Sequence, residues 1–181
     1  MQPFISRDLC IRPFRKTDGP SFVTAALESV STVGVWMAWC HERFALKDAE
    51  AWFGACDRNL ESGNAYDLGT FSMDGMQLLG GIAINQLNRR QNLGNIGYWV
   101  RQSCQRKGIA TRAAQSIADY GFGQLKLTRL EIVAPESNAP SRRVAERVGA
   151  VLECIARNRV IVHGKPQPAA IYSLVPEQCG F

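Results

Sequence analysis

The residues best suited to chemistry lie in one basic turn, Gln105-Arg106-Lys107-Gly108-Ile109-Ala110, followed by Thr111. A helix opens there, with Ala113, Ala114, Ile117, Ala118 and Gly121 recurring at three- and four-residue steps. The first turn of a helix leaves backbone N–H groups without partners. The helix dipole adds partial positive charge, and Arg106, Lys107 and Arg112 add full charges. Gly108 and Ala110 are small enough to let an anion reach the backbone. The turn therefore suits a phosphate or pyrophosphate. On local chemistry alone, a solvated basic turn is an equal alternative. Neither G-x-x-x-x-G-K-[ST] nor G-x-G-x-x-G occurs.

The elements that must position this turn can be taken in chain order. Asp8 to Phe14 alternates apolar and polar residues and reads as an edge strand, which tolerates Pro13. Thr17-Asp18-Gly19-Pro20 supplies a cap and an early proline for a helix through Glu28. Trp36, Met37 and Trp39 then cluster, as core beneath a loop or as the wall of a small-molecule pocket. A second helix covers 47–60, stopped by Gly63. Strands over 65–73 and 77–87 flank Asp74-Gly75, a hairpin signal. Gly80-Gly81 marks a bulge or a close backbone approach. A third strand, from Leu93 to Val100, runs into the basic turn.

Residues 128–134 form a strand entered from the long helix, hence parallel to the strand before it. That crossover puts the basic turn at the carboxyl end of its strand, where open α/β sheets bind ligands. Asn138 opens a helix that Gly149 stops. Two last strands, 151–162 and 169–175, are joined by His163-Gly164-Lys165-Pro166.

Composition narrows the function classes. Apolar residues make up 46% and charged residues 20%, ordinary for a globular protein. A net charge of +5 favours an anionic ligand but falls short of a nucleic-acid signature. Six cysteines without C-x-x-C, and only two histidines, argue against a zinc site and a disulfide framework. Reduced, mostly buried thiols in a cytoplasmic protein are expected. The N-terminus shows no signal-peptide pattern, and no apolar run is long enough to span a bilayer.

Gln105, Gly108 and Ala110 also fill the fixed positions of [QR]-x-x-G-x-[GA], and here the chain resembles the GNAT acyl-CoA-dependent N-acyltransferases. LCIRPFRKTD (9–18), Trp36-Met37-Ala38-Trp39, IGYWV (96–100), SNAPSRRVAERVGA (137–150) and the closing AAIYSLVP are similar to its ribosomal-protein N-terminal, RimJ/RimL-type branch. The resemblance implies one domain over 1–181, with an α/β (α+β) GNAT fold. Its central sheet would be mixed, mostly antiparallel and splayed in the middle, with helices on both faces.

The resemblance also implies transfer of an acetyl group from acetyl-CoA to a primary amine, without a metal. Backbone groups near Val100 would pair with pantetheine. Gln105, Arg106, Lys107, Gly108, Ile109, Ala110 and Thr111 would hold the pyrophosphate, and Asn138 the cofactor arm. The family's acidic tyrosine is replaced by Ala145, so Ser141, from N-x-x-S, becomes the candidate acid. The glutamate that many members carry before IGYWV is Asn95 here, which could position a water. Asp67, or Glu42 and His41, are the other candidates for the base. Trp36, Trp39 and Tyr98 would line the acceptor site.

The expected acceptor is a peptide N-terminus or a small amine, and which of them is left open. An α-amino group with pKa near ~8 is partly neutral without help from a base. The net positive charge matches a basic ribosomal protein poorly. The arginines would also suit a succinyl donor. The loss of both family catalytic types leaves a catalytically weak acyl-CoA-binding module as the rival reading. No nucleic-acid or membrane partner is expected, and a homodimer is the expected assembly by analogy.

Overall fold

The computed structural model describes residues 4–6 and 8–176; Cys179 lies outside them. Eight strands form one sheet in the order β1-β2-β3-β4-β5-β6-β8-β7. They are β1 (Phe4–Ser6), β2 (Leu9–Arg12), β3 (Tyr66–Ser72), β4 (Leu78–Asn88), β5 (Leu93–Val100), β6 (Arg129–Pro135), β7 (Val151–Val162) and β8 (Lys165–Leu174). All neighbouring pairs are antiparallel except β5 and β6. The helices are α1 (Gly19–Glu28), α2 (Leu46–Ser62), α3 (Ile109–Gly123) and α4 (Ala139–Arg147). The mixed sheet with helices on both faces is the fold that the resemblance implied.

Alternation along the strands sends side chains to two cores. On one face Ile82, Ile84, Ile96 and Leu130 meet the small-residue stripe of α3, with Ala114 and Ile117 fully buried. A Cβ at Gly121 would come within 2.9 Å of Ile84 and Leu130, so the helix packs there because that position is glycine. On the other face α1 and α2 cover an aromatic core of Phe14, Phe22, Phe44, Phe53 and Phe71. Phe14 stacks on Phe53 at 4.7 Å between centroids.

Three local expectations change. The strand at Leu9–Arg12 is not an edge, because β1 pairs outside it; Pro13 falls after its end, so no ladder bond is lost. Asp18 precedes α1 but makes no side-chain cap. Its carboxylate instead takes both guanidinium nitrogens of Arg12, at 2.7 and 2.9 Å, and the Arg15 N–H at 2.7 Å. The last hairpin turns on two residues, His163 and Gly164, both at positive φ, and β8 already begins at Lys165.

The Arg12–Asp18 pair is buried, and the guanidinium also lies 3.6 Å above the Phe71 ring centroid. Burial alone would raise the Asp18 carboxyl, but the bonds from Arg12 and Arg15 outweigh it and hold it below the ordinary value. Asp18→Asn leaves the Arg12 charge buried without its counter-charge and is expected to cost about 3 kcal/mol in urea unfolding. Because the folded-state value is depressed, the pair's contribution is full above the unfolded carboxyl value of ~3.9 and lost as pH falls through the folded one. Wild type should therefore lose more stability than Asp18→Asn as pH falls below about 4. Equal acid slopes for the two proteins would refute this account.

Candidate active site

β5 and β6 pair over only three residues: Leu93 with Arg129, Gly94 with Leu130, Asn95 with Glu131. Beyond that β5 stays on β4, as far as Val100 opposite Gly80, while β6 stays on β8, as far as Pro135 opposite Ala169. The sheet is split there. Glycines hold β5 against β4: a Cβ at Gly80 would meet the Trp99 carbonyl at 2.2 Å, and one at Gly81 the Trp99 indole at 2.4 Å. The Gly80-Gly81 pair thus marks a close backbone approach, and the bulge beside it skips Leu79.

The basic turn stands at the open end of β5. Arg106 and Gly108 both have positive φ, +62° and +72°, and Gly108 in the left-handed region immediately precedes α3. The turn is tied down from several sides. Gln105 Nε2 donates to the Val100 carbonyl at 3.0 Å and to Thr32 Oγ1 at 3.1 Å. Arg112, expected to add charge to an anion, donates to the Lys107 carbonyl at 2.8 Å and pairs with Asp8. Arg106 and Lys107 are exposed, while Ile109 anchors in the core and Ala110 and Thr111 are half-buried. Val100 therefore already has its carbonyl engaged by Gln105.

On the α3 face, Asn138 caps α4 by accepting the Ser141 N–H at 3.2 Å. Tyr98, from β5, reaches across the split to the same residue. Its phenol donates to the Ser141 carbonyl at 2.9 Å and lies 3.1 Å from Ser141 Oγ. With the phenol's one proton on the carbonyl, the serine hydroxyl donates to the phenol oxygen. Burial pushes the Tyr98 phenol up to about 12, so it stays neutral near pH 7. Ala145 is fully buried. Tyr172 clasps α4 to β8, accepting from Arg142 at 3.1 Å and donating to Glu146 at 3.0 Å.

On the opposite face lies a cavity of about 570 Å³, in the range of small-molecule sites. Its sheet floor includes Asp67, Gly81, Ala83 and Gly97, and its walls include Met37 and Trp39 on one side and Trp52 on α2. Asp67, Ala83 and Gly97 stand in one cross-strand row, ending where β5 leaves β6. Its charged lining consists of carboxylates, Asp48 and Asp67, and His41 lines it too. The chain's overall positive charge does not extend into this cavity, which corrects the use of net charge to judge the acceptor. Burial raises the Asp67 carboxyl, and a hydrogen bond from Asn59 only partly offsets that.

Other candidates fall elsewhere. Trp36 is half-buried and does not line the cavity, and Glu42 is exposed outside it. Asn95 donates to Asn85 Oδ1 at 3.1 Å and keeps its own Oδ1 buried without a partner; Asn85, not Asn95, lines the cavity. Sequence reasoning missed Asn85, although counting back across the 88–92 turn pairs it with Asn95. It also missed the Tyr98–Ser141 contact, which joins residues 43 apart with no local signal. Cys10, Cys40, Cys56 and Cys104 are buried free thiols and Cys154 is exposed. Among the described residues no group of three metal-ligating side chains converges, and no helix is long and apolar enough to cross a membrane.

A mostly antiparallel sheet split at its one parallel pair, with an anion-type turn at the end of the split, defines the splayed-sheet acyltransferase class. Residues 8–151 match the acetyltransferase (GNAT) domain, and the chain belongs to that family. A Vibrio cholerae protein named as a ribosomal-protein-serine acetyltransferase is 30% identical over 97% of this chain and 98% of its own, with a TM-score of 0.86. RimL, a ribosomal L7/L12 α-N-protein acetyltransferase solved in complex with coenzyme A, shares the fold at 18% identity, with a TM-score of 0.86 over 96% of this chain and 98% of its own. YdaF of Bacillus subtilis (strain 168), named as a ribosomal N-acetyltransferase, is 35% identical over 101 residues, 56% of this chain and 55% of its own. The chain spans about half the length of the curated relatives it matches.

The Asp67 environment is testable by carboxyl-carbon NMR. Asp67 is expected to titrate above the ordinary aspartate value, and Asn59→Ala, which removes the one bond favouring the carboxylate, should move it higher still. A midpoint at or below ~3.9 would contradict the burial argument.

Proposed function

We propose that this chain is an acyl-CoA-dependent N-acyltransferase that moves an acetyl group from acetyl-CoA to a primary amine, its 181 residues acting as one domain in the cytoplasm. The observation that carries the reading is the split between β5 and β6, with the Tyr98–Ser141 pair on one face and the Asp67 cavity on the other. A thioester threaded through such a gap would meet its hydrogen-bond donor and its acceptor from opposite sides. The backbone of residues 105–111 would cradle the pyrophosphate, and the β5 edge from Ile96 to Val100 would pair with the pantetheine amides, displacing Gln105 from the Val100 carbonyl. Asn138, through its cap, would hold Ser141 beside the cofactor arm.

The acceptor amine would enter the carboxylate-bearing cavity as an ammonium ion. Two strand spacings put Asp67 about 10 Å from Gly97, Cα to Cα, room for the amine and one bridging water. Asp67 would take the amine's proton through that water, and its raised carboxyl is the better base for it. Asn95 would act only through Asn85, whose side chain it holds at the cavity and which would fix that water rather than accept a proton. Trp39 would pack against the acceptor's body, whereas Trp36 supports the wall from outside. The neutral amine then attacks the thioester carbonyl, the C–N bond forms, and the tetrahedral oxyanion collapses with loss of the C–S bond. A thiol titrates near ~8.5, so the sulfur leaves as thiolate while the Ser141 hydroxyl turns from the Tyr98 phenol to hydrogen-bond it. The proton that the attacking nitrogen sheds on becoming an amide passes to water. Relatives named for ribosomal-protein acetylation support a peptide N-terminus as acceptor, and a small amine fits the same cavity.

The test is release of free thiol from acetyl-CoA, with succinyl-CoA in parallel, against peptide N-termini and small amines. Acceptor-dependent release is expected; coenzyme A binding without release from any pair would leave a binding module, and no binding would overturn the reading. Gly108→Val should weaken coenzyme A at least tenfold in calorimetry, because a left-handed β-branched residue costs about 1–2 kcal/mol and its Cβ would meet Arg112 at 2.9 Å. Gly123→Ala, where a Cβ meets nothing within 4 Å, is the control. Ser141→Ala should lower kcat by about 10- to 100-fold with the KM for acetyl-CoA little changed, the size of a lost hydrogen bond to a charged group. Tyr98→Phe should lower kcat less. Asp67→Asn should remove the acid limb of the kcat/KM profile.

A further inference from the structure

Between the cofactor turn and the acceptor cavity stands one short segment, Glu28 to Gly34, that bonds to both. Its backbone is a single π-helical turn, Val30–Gly34, in which the Ser29 carbonyl accepts from Thr32, Val33 and Gly34 at 3.0, 2.7 and 3.3 Å. The extra residue in such a turn changes which side chains face outward, and π turns recur at functional sites. Here Val33 points into the core while Ser31 and Thr32 face the chain that leads into the basic turn.

The bonds to that chain are dense. Glu28 accepts from Arg101 Nε and from the Ser103 N–H, both at 2.6 Å. Ser29 Oγ accepts the Gln102 N–H at 3.0 Å, and Ser31 and Thr32 donate to Gln102 Oε1 at 2.9 and 3.3 Å. Thr32 Oγ1 accepts from Gln105 at 3.1 Å, and the same Gln105 amide also donates to the Val100 carbonyl. Burial would raise the Glu28 carboxyl, but the bonds from Ser103 and Arg101 outweigh it and keep it ionised at neutral pH.

The other side of the segment faces the acceptor wall. The Val33 carbonyl accepts from Trp36 and Met37, each at 3.0 Å, and Cys40 Sγ donates to the Ala26 carbonyl. A Cβ at Gly34 would meet the Cys40 carbonyl at 2.5 Å, so the turn and the wall are in direct backbone contact. Met37 and Trp39 line the cavity, and Trp39 packs on Trp99 of β5 at 5.3 Å.

Resting on the acyl-CoA reading above, we propose that Glu28 and Thr32 are positioning residues that couple the two halves of the site. They set the pose of the 101–105 approach to the cofactor turn, and cofactor seated there sets the pose of the Met37–Trp39 wall. When pantetheine takes the Val100 carbonyl from Gln105, the Gln105 amide keeps only Thr32. The rearrangement therefore passes to the π turn and on to the wall.

The experiment uses the full chain with its four tryptophans replaced by 5-fluorotryptophan, the fluorine lines assigned by single Trp→Phe changes. Coenzyme A is the probe, followed by calorimetry and by fluorine NMR. In wild type the Trp39 line is expected to shift on saturation. In Glu28→Gln and, separately, in Thr32→Val, binding should weaken by about tenfold, and at saturation the Trp39 shift should shrink by at least half. Two variants that break different bonds keep the test alive if one folds poorly, and thermal midpoints within a few degrees of wild type mark a folded variant. A full Trp39 shift at saturation in both variants overturns the coupling, whatever happens to affinity. Absence of any coenzyme A binding to wild type overturns the acyl-CoA reading itself, and is seen before any variant is made.

Discussion

Everything at this site depends on two strands that stop pairing. Backbone N–H and C=O groups in a sheet interior normally find partners, and β5 and β6 forgo theirs after Asn95–Glu131. What separates them is competition: β5 is pulled against β4 by the glycine pair that admits Trp99, while β6 is committed to a six-residue ladder with β8. The ladder breaks there inside an otherwise continuous sheet, and at its end the Val100 carbonyl falls back on the Gln105 side chain.

The split also divides the labour between faces. Side chains alternate along β5, so Tyr98 goes to the α3 and α4 side while Gly97 and Trp99 go to the α1 and α2 side. Hydroxyls gather on the first, at Tyr98 and Ser141, and carboxylates on the second, at Asp48 and Asp67. The basic turn sits at the strand end, outside both. This keeps the carboxylates away from the basic turn without any dedicated barrier, and it lets a chain of net charge +5 carry an acid-lined cavity. The π turn after α1 joins these separated parts with hydrogen bonds that are short in space and about 70 residues apart in sequence.

Much of the frame was legible in the sequence because it follows from local rules. The small-residue stripe of α3, the caps at Asn138, Gly63 and Gly149, the Asp74-Gly75 hairpin and the parallel crossover all depend on residues near one another. The basic turn was legible for the same reason: the small residues Gly108 and Ala110 and the start of α3 are written within six residues, although the positive φ at Gly108 came only with the structure. Where local and long-range demands competed, the local reading failed. Asp18 has the type and position of a helix cap, yet a buried arginine six residues earlier is the stronger claimant for its carboxylate. The stretch 8–14 has the proline of an edge strand, yet Pro13 falls just past β2 and a further strand covers Leu9–Arg12.

The sequence by itself determined most of the elements from Leu9 onward, their order and the anion-type turn, because each is a property of residue type and short spacing; β1 and the π turn after α1 were not legible in it. Only the tertiary structure decided that Tyr98 meets Ser141, that Asp67 shares a cavity with Trp39 while Trp36 and Glu42 do not, and that Glu28 holds the approach to the turn. Those are contacts across strands and between distant helices. They are set by sheet register and by which face a side chain takes, and a single residue's shift in either would have put different groups together.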